Sequence, residues 1–541
     1  MRNIAVLAAA LALFAVAPAM AQTRPTEAAA APTAPDEPGR NERAPQTSPR
    51  GEAAQEAKLS DRDIATAPIR EIARSTRHSV TVDGRAIPYT ATAGTLTIRD
   101  DDGKPRASMF YVAYVADRPK GAPQRPVTFF YNGGPGSASM WLHMGSFAPM
   151  RIHTASPDPT PAAPFVIAPN NESLIDKTDM VFLDAIGAGF SRPLGDAKGK
   201  DFWGVDQDAD AFARAIMRYL TVADRWNSPK FLFGESYGTT RSAALAYALQ
   251  DNDVQLNGVL LLSSILNYGI RTPGFDRIYV NYLPSYAAAA WYHHRLANPP
   301  VDLGPFLAEV RAWANGPYAA VLAKGTDAPQ AEIDAVAHQM SLYTGLSEAF
   351  IKEADLRVDL GRFRKELLRD QRRTIGRYDS RFTGIDVDAA GEDPEFDPSD
   401  TGVQGAFVAA FHDYLQNELD FTTDLSYRPG YDVIGREWDW RHKAPGARFP
   451  QPVADVAQDL GATMRKNPHL KVYSLNGLYD MATPFFGTEY DLGHMQLDPS
   501  LRGNVRFAYY PSGHMVYLNP DALKTMKADV ARFYDDVLSG R

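Results

Sequence analysis

Two patterns of hydrophobic and polar residues follow one another along the chain. Between residues 78 and 114, apolar and polar positions alternate over short stretches, with turn residues at Asp83 and Gly84 and again at 101–103. Alternation with a period of two predicts antiparallel strands that bury one face. We expect these strands at residues 79–82, 87–92, 95–98 and 107–114.

The later pattern consists of short, continuously apolar runs, which predict strands that are buried on both faces. They occur at residues 127–131, 180–183, 231–233, 259–262, 470–475 and 505–510. Helical stretches such as 207–220 separate the later runs, and a last helix is expected over 520–538. Strands that alternate with helices indicate an α/β fold with a mostly parallel central sheet.

The domain organisation follows from a gap in this pattern. Residues 275–450 contain no comparable strand rhythm and are rich in helical and aromatic stretches. We therefore expect one α/β core in two parts, residues 69–274 and 451–541, with a helical lid inserted between them.

The N-terminus has the features of a targeting segment. Arg2 precedes an uninterrupted apolar run over residues 4–16, and residues 19–21 form an A-x-A cleavage site. The run is too short to span a bilayer, so we expect a signal peptide at 1–21 and an exported, periplasmic or secreted protein without a stable membrane anchor. Residues 22–68 are rich in Ala and Pro and poor in large apolar groups, which predicts a disordered linker.

Composition narrows the possible chemistry. The 541 residues include no cysteine, which excludes disulfides, zinc–thiolate sites and a cysteine nucleophile. The net charge is −9 at pH 7 and no strong Lys/Arg run occurs, so we expect no nucleic-acid partner. His293 and His294 would point in different directions on a helix, and the acidic stretch 392–400 lacks EF-hand spacing. We therefore expect neither a metal nor an organic cofactor, while the oligomeric state stays open.

The strongest local signal is a serine between two glycines. Ser236 stands between Gly234 and Gly238, after the apolar run 231–233 and before a stretch of small residues that predicts a helix. Strand, G-x-S-x-G and helix together form the nucleophile elbow of α/β-hydrolases. The turn is so tight that glycine is needed on both sides, and it exposes the hydroxyl near a helix N-terminus that favours negative charge.

A catalytic serine needs a general base, and the base needs an orienting carboxylate. Asp480 follows the strand expected at 470–475, and His514 follows the strand expected at 505–510. The chain order Ser, Asp, His is that of α/β-hydrolases, and both residues come at carboxyl ends of parallel strands. A turn aspartate and a loop histidine are the alternatives for each residue alone, but the three together predict catalysis.

A glycine-rich segment, residues 132–136, directly follows the strand expected at 127–131. Glycines let the backbone approach a substrate closely, and free amides stabilise an oxyanion. In this fold the other half of the oxyanion hole is the amide after the nucleophile, here that of Tyr237. An ordinary glycine-rich turn is the alternative interpretation.

Five segments together resemble the serine carboxypeptidase family: residues 132–137, 182–191, 234–238, 476–484 and 513–516. They occur in family order, and the glutamate directly before the serine is more specific than G-x-S-x-G alone. The resemblance implies an exported α/β-hydrolase of bacterial type that releases C-terminal residues from peptides through an acyl-enzyme, without a cofactor.

The resemblance also implies a role for each site residue. It implies a catalytic triad made of Ser236, Asp480 and His514. It implies that the oxyanion hole consists of two amides, those of Gly134 and Tyr237. It further implies that the terminal carboxylate of the substrate is held by Asn132 and Glu235. Two carboxylates share a hydrogen bond only when one is protonated, so binding should favour acidic pH.

Two positions depart from the family pattern. Ser137 stands where the family usually has a cysteine, and Ser146 stands where known members usually have an acidic residue for carboxylate recognition. The second departure leaves an esterase or acyltransferase on the same scaffold as the alternative function. A catalytically silent binding module is a third possibility, against which the full set of triad residues argues.

Overall fold

The computed structural model describes residues 69–540. The predicted signal peptide at 1–21 and the predicted linker at 22–68 lie outside the described residues. Within the described part, none of the helices combines the length and the apolar character needed to cross a bilayer.

Most of the strands lie between residues 73 and 264 and between residues 471 and 510. They lie at β1 Ala73–Val82, β2 Arg85–Arg99, β3 Pro105–Ala116, β4 Val127–Tyr131, β5 Met150–His153, β6 Val166–Pro169, β7 Asp179–Leu183, β8 Arg192–Pro193, β9 Lys230–Ser236, β10 Gly258–Ser264, β11 Thr374–Ile375, β12 Thr383–Gly384, β13 Lys471–Gly477 and β14 Val505–Tyr510. One 10-stranded sheet has the order β1-β2-β3-β7-β4-β9-β10-β13-β14, with β8 paired to β3. Two small antiparallel ribbons, β5 with β6 and β11 with β12, lie outside it.

The antiparallel part of the sheet differs from expectation at one point. The stretches expected as two strands, 87–92 and 95–98, form the single strand β2. Gly94 separates the two stretches, and a Cβ there would lie 2.6 Å from the carbonyl oxygen of Ile72. The glycine therefore lets a neighbouring segment pack closely on β2, and it does not end the strand.

From β7 onward the neighbours β7, β4, β9, β10, β13 and β14 run parallel. Their side chains point alternately to two hydrophobic cores: Phe130 and Phe233 belong to one, and Phe129 and Leu232 to the other. Burial on both faces explains the continuous apolar runs of the sequence. The parallel direction also brings the carboxyl ends of these strands to the same edge.

The α-helices cover both faces of the sheet. They lie at α1 Met140–Gly145, α2 Val205–Val222, α3 Tyr237–Asp251, α4 Arg277–Tyr292, α5 Leu303–Trp313, α6 Ala319–Leu322, α7 Gln330–Thr344, α8 Glu348–Glu353, α9 Leu360–Glu366, α10 Pro398–Asn417, α11 Asp432–Glu437, α12 Ala457–Lys466, α13 Phe485–Gly493 and α14 Pro520–Leu538. Side chains of α2 and α3 complete the core on one face, and side chains of α1 and α14 complete the core on the other. The chain has the predicted α/β-hydrolase architecture.

The helical segment between β10 and β13 has two parts. Helices α4 to α9 pack around a core of their own, in which the rings of Tyr286 and Phe363 stack 3.8 Å apart. Helix α10 instead joins the sheet core through apolar side chains at helical spacing, including Phe407 and Phe411. The predicted lid is therefore not one uniform layer, and its limits at 275 and 450 stay a prediction.

Candidate active site

The turn between β9 and α3 has the geometry of a nucleophile elbow. Ser236 ends β9 with φ 61° and ψ −129°, a conformation that non-glycine residues rarely adopt. A Cβ on Gly234 would lie 2.2 Å from the Gly238 carbonyl oxygen, and one on Gly238 would lie 2.8 Å from the Tyr131 carbonyl oxygen. Both glycines are therefore required by close backbone approach, as the sequence predicts.

The loops after β13 and β14 bring Asp480 and His514 together. Asp480 Oδ2 lies 2.8 Å from Nδ1 of His514, and both side chains are buried. The other carboxylate oxygen, Oδ1, accepts hydrogen bonds from the amides of Ala482 at 2.7 Å and Thr483 at 3.0 Å. The Thr483 hydroxyl donates to Asp480 Oδ2 at 2.7 Å. These donors stabilise a buried carboxylate beside the imidazole.

The position and charge of His514 are both constrained. Its backbone N–H donates to the Tyr378 carbonyl at 2.6 Å, and its carbonyl accepts from the Ser263 hydroxyl at 2.6 Å. Burial disfavours the imidazolium, but the adjacent Asp480 carboxylate outweighs that penalty and raises the pKa of His514 above its ordinary value. The arrangement suits a base that takes up a proton at Nε2 while Asp480 holds Nδ1.

The loop that carries Gly134 comes close to the amide of Tyr237. Tyr237 is the first residue of α3, where a helix leaves amides without intrahelical partners. The glycine-rich loop after β4 reaches this turn, because a Cβ on Gly133 would lie 2.4 Å from the Tyr237 nitrogen. Gly134 is the next residue along that loop, and it lines the same cavity as Ser236.

On another side of Ser236, Glu235 is buried among polar groups. The Tyr517 hydroxyl donates to its carboxyl group, at 3.0 Å from Oε2 and 3.2 Å from Oε1. The Asn132 side chain lies close enough to Glu235 to lower its pKa, while its Oδ1 accepts from the Leu142 amide at 2.9 Å. Burial raises the pKa of Glu235 to about 7, although these hydrogen bonds oppose the rise.

Sequence reasoning missed Tyr517. It lies three residues after His514, in a short turn at Val516–Leu518, and it is fully buried. A tyrosine in that position carries no motif, so the one available signal is its closeness to His514 in the chain. Its contact with Glu235 depends on how the segment after β14 folds back.

Ser146 faces away from the site. It is fully buried at the end of α1, where its hydroxyl donates to the Leu142 carbonyl. Its own carbonyl accepts from the Asn170 side chain at 2.7 Å. Ser146 is absent from the cavity wall, whereas Ser137, the other departure, lines it.

One cavity of about 640 Å³ connects most of these groups, and its walls include Asn132, Gly134, Glu235, Ser236 and His514. Asp480 and Tyr237 stand behind the wall and support it. Residues 69–540 hold no cluster of three or more His, Asp or Glu side chains arranged to bind a metal. His293 has a structural contact instead, with Nε2 2.6 Å from the Ser380 carbonyl oxygen.

Comparison with known proteins covers both sequence and fold. The family model described as serine carboxypeptidase matches residues 84–288. No curated protein matches the chain. Kex1Δp, a prohormone-processing carboxypeptidase from Saccharomyces cerevisiae, has a similar structure with a TM-score of 0.51 and 15% identity, covering 83% of this chain and 91% of that one. A proline iminopeptidase from Mycobacterium smegmatis covers 83% of this chain and 100% of that one, with 15% identity and a TM-score of 0.35.

The two kinds of comparison support different statements. At 15% identity the likeness to Kex1Δp shows the fold, which is that of α/β-hydrolases. The family match spans the glycine-rich loop and the elbow, so it contains Asn132, Gly134 and Ser236. The match over residues 84–288 shows that this part of the chain is similar to the serine carboxypeptidase family, in agreement with the predicted resemblance.

Proposed function

We propose that this enzyme removes C-terminal residues from peptides through an acyl-enzyme on Ser236. The Ser-Asp-His assignment is supported by the Asp480–His514 contact of 2.8 Å and by the shared cavity of Ser236 and His514. The positive φ of Ser236 at the start of α3 supports its role as nucleophile.

The proposed reaction begins when Ser236 Oγ attacks the carbonyl carbon of the last peptide bond and His514 Nε2 accepts the hydroxyl proton. The amides of Gly134 and Tyr237 donate hydrogen bonds to the oxyanion. His514 then gives its proton to the leaving amine, and the C–N bond breaks to leave an ester on Ser236. A water, deprotonated by His514, attacks this ester. The bond from Ser236 Oγ to the acyl carbon then breaks, His514 returns the proton to Oγ, and the shortened peptide is released. Asp480 keeps Nδ1 of His514 protonated throughout.

The observation that carries the exopeptidase assignment is Glu235. It is buried next to the nucleophile, it lines the cavity, and its raised pKa of about 7 favours the neutral form in mild acid. A neutral carboxyl group donates a hydrogen bond to the carboxylate of a terminal residue, as Asn132 beside it also does through its amide. A simple ester has no such group to recognise, so Glu235 favours a carboxypeptidase over the alternative esterase or acyltransferase.

Matched substrates test the proposal. A blocked tripeptide and its C-terminal amide are incubated with the enzyme at pH 5.5, and products are followed by mass spectrometry. We expect loss of one residue from the free acid, with a kcat/KM at least about tenfold above that of the amide because a charge-assisted hydrogen bond is lost. Ser236→Ala provides the blank. Equal cleavage of acid and amide would favour an endopeptidase, and hydrolysis of a simple ester alone would favour the esterase.

We also propose that peptides are its partners and that the chain is exported. The support for export lies in the sequence of residues 1–21, with its positive start, apolar run and A-x-A site. N-terminal sequencing of the protein recovered from its source tests this. A mature chain beginning at Gln22 supports the proposal, and an intact Met1 contradicts it.

A further inference from the structure

The walls of the active-site cavity carry positive charge on the side of the Asp480 loop. Three arginines line the cavity: Arg271, Arg377 and Arg436. The triad chemistry and the recognition of a terminal carboxylate use none of them. Two of the three, Arg271 and Arg377, contact residues that lie next to the catalytic groups.

Arg271 lies beside the loop that holds Asp480. Its Nη2 donates to the Ala482 carbonyl at 2.9 Å, and its guanidinium group lies 5.9 Å from the ring centre of Tyr268. The amide of the same Ala482 donates to Asp480. Arg271 is therefore held at the wall by one of its five donors, and no carboxylate within residues 69–540 forms an ion pair with it.

Arg377 lies beside the ring that packs on the catalytic histidine. Its guanidinium group is 5.1 Å from the ring centre of Tyr378, and that ring lies 5.1 Å from the ring of His514. The backbone amide of Arg377 donates to Asp397 at 3.0 Å, which fixes the position of its Cα. Both arginines are close enough to Tyr268 to oppose the rise in the pKa of its phenol that burial causes.

Neither guanidinium group is neutralised by a close carboxylate. Within residues 69–540, no Asp or Glu oxygen lies within 4 Å of the side-chain nitrogens of Arg271 or Arg377. The fork geometry of a guanidinium group matches a carboxylate, so donors that face the cavity suit a carboxylate ligand.

Two aspartates, Asp400 and Asp432, also line the cavity. Burial, reinforced by the Asp397 carboxylate, raises the pKa of Asp400, although Arg377 opposes the rise. Asp432 lies four residues before Arg436 on α11, a spacing at which opposite charges attract. Burial opposes the charge of Arg377, but two tyrosines and the Asp397 and Asp480 carboxylates together raise its pKa, so its guanidinium group stays charged.

We propose that Arg271 and Arg377 select peptides that carry an acidic side chain next to the scissile bond. The guanidinium groups would bind the Asp or Glu side chain of the substrate while Asn132 and Glu235 bind its terminal carboxylate. The enzyme thus has two separate carboxylate-binding walls, one for the chain end and one for a side chain. This inference rests on the proposed carboxypeptidase function.

Isosteric peptides test it. Blocked tripeptides with Glu or Gln at the penultimate position, and a second pair with Glu or Gln at the terminal position, are compared at pH 6, where a free Glu side chain is ionised. We expect Glu to exceed Gln in kcat/KM by about 10- to 100-fold at one of the two positions, in keeping with a charge-assisted hydrogen bond. The preference should weaken in high salt.

Variants assign the preference to the two arginines. Arg377→Gln and Arg271→Gln should each reduce the Glu-to-Gln ratio, mainly through KM, and Arg377→Lys should retain part of it. Arg362→Gln, at a partly exposed position of α9 outside the cavity, is the matched control and should leave the ratio unchanged. Thermal melting checks that each variant is folded, and Arg271→Gln keeps the test informative if Arg377→Gln is not.

Three outcomes decide the matter. A Glu preference that falls in both arginine variants supports the inference. Equal cleavage of Glu and Gln peptides, or a Glu preference that survives both substitutions, overturns it while leaving the carboxypeptidase function in place. If no peptide loses its terminal residue, including the Gln peptides, the proposed function itself is wrong.

Discussion

Two buried carboxyl groups flank the nucleophile, and they have opposite surroundings. Asp480 accepts from the amides of Ala482 and Thr483 and from the Thr483 hydroxyl, and it contacts His514. Glu235 accepts from the Tyr517 hydroxyl, and burial raises its pKa to about 7. The two carboxyl groups therefore differ in the number of hydrogen-bond donors that surround them.

The comparison teaches how one cavity supports both a base and an acid. Asp480 contacts Nδ1 of His514 and so stabilises a proton on the imidazole, which the transfer steps require. The neutral Glu235 accommodates a second negative charge, that of the substrate. If both carboxyl groups had the same surroundings, the site would lose either the orientation of His514 or its affinity for the terminal carboxylate of the substrate. The predictions below test each side separately.

The largest effect is expected on the Asp480 side. Asp480→Asn should lower kcat by about 10⁴-fold, because an amide nitrogen facing Nδ1 favours the tautomer of His514 that is protonated at Nε2 and unable to act as base. KM for a peptide should change little, since the Asn132–Glu235 wall is untouched. Steady-state kinetics with a blocked tripeptide measures both constants. A large rise in KM with unchanged kcat would contradict the assignment of Asp480 to catalysis and of Asn132 and Glu235 to substrate binding.

On the Glu235 side, the expected effect depends on pH. The folded pKa of about 7 lies above the ordinary value, so Glu235 is neutral below pH 7 and ionises above it. Peptide KM should rise by about tenfold per pH unit above 7, because two ionised carboxylates repel. Glu235→Gln keeps a hydrogen-bond donor that does not titrate, so it should abolish the rise in KM above pH 7. This rise is called the alkaline limb of the KM profile below.

The fall of kcat/KM at low pH provides the internal control for that experiment. His514 must be neutral to act as base, and its pKa is raised, so kcat/KM should fall as pH drops through that value for peptide and amide alike. Because Glu235 and His514 perturb each other, the two limbs describe the pair and not isolated groups. An amide substrate that shows the alkaline rise in KM would disprove the role of Glu235.

A smaller effect is expected for the donor to Glu235. Tyr517→Phe keeps the ring that packs in the core but removes the hydroxyl that stabilises ionised Glu235. The alkaline limb of the KM profile should move to higher pH, while KM in mild acid rises by about tenfold or less through loss of one hydrogen bond. A purely structural tyrosine would lower thermal stability without moving the limb.

The smallest effect is expected at Ser146. Ser146→Ala removes a hydroxyl that bonds the Leu142 carbonyl and does not reach the cavity. We expect less than about twofold change in KM for both the free-acid peptide and its amide, with a stability loss of about 1 kcal/mol. A rise in KM confined to the free acid would mean that Ser146 takes part in carboxylate recognition.

Much of the site was predictable because it depends on local chain geometry. The elbow needs Gly234 and Gly238 for backbone clearance, and the G-x-S-x-G motif in the sequence identifies both glycines. Asp480 and His514 could be paired because each follows a parallel strand, and such strands end at one edge. Asn132 and Glu235 were assigned through family resemblance, and both line the same cavity in the structure.

Other features were not predictable because they depend on packing between distant segments. Gly94 separates two apparent strands in the sequence, yet it lies within β2 because another segment crosses close to it. Ser146 occupies a position that the family pattern marks as functional, but the end of α1 turns it into the interior.

By itself, the sequence determined the α/β class, the elbow at Ser236 and the order of the residues that follow it. Those features rest on hydrophobic period and backbone clearance, which act over a few residues. The tertiary structure alone decided the ionisation of Glu235, its contact with Tyr517 and the grouping of Arg271 with Arg377. Desolvation and charge pairing depend on every segment that closes around a group, and those segments lie hundreds of residues apart in the chain.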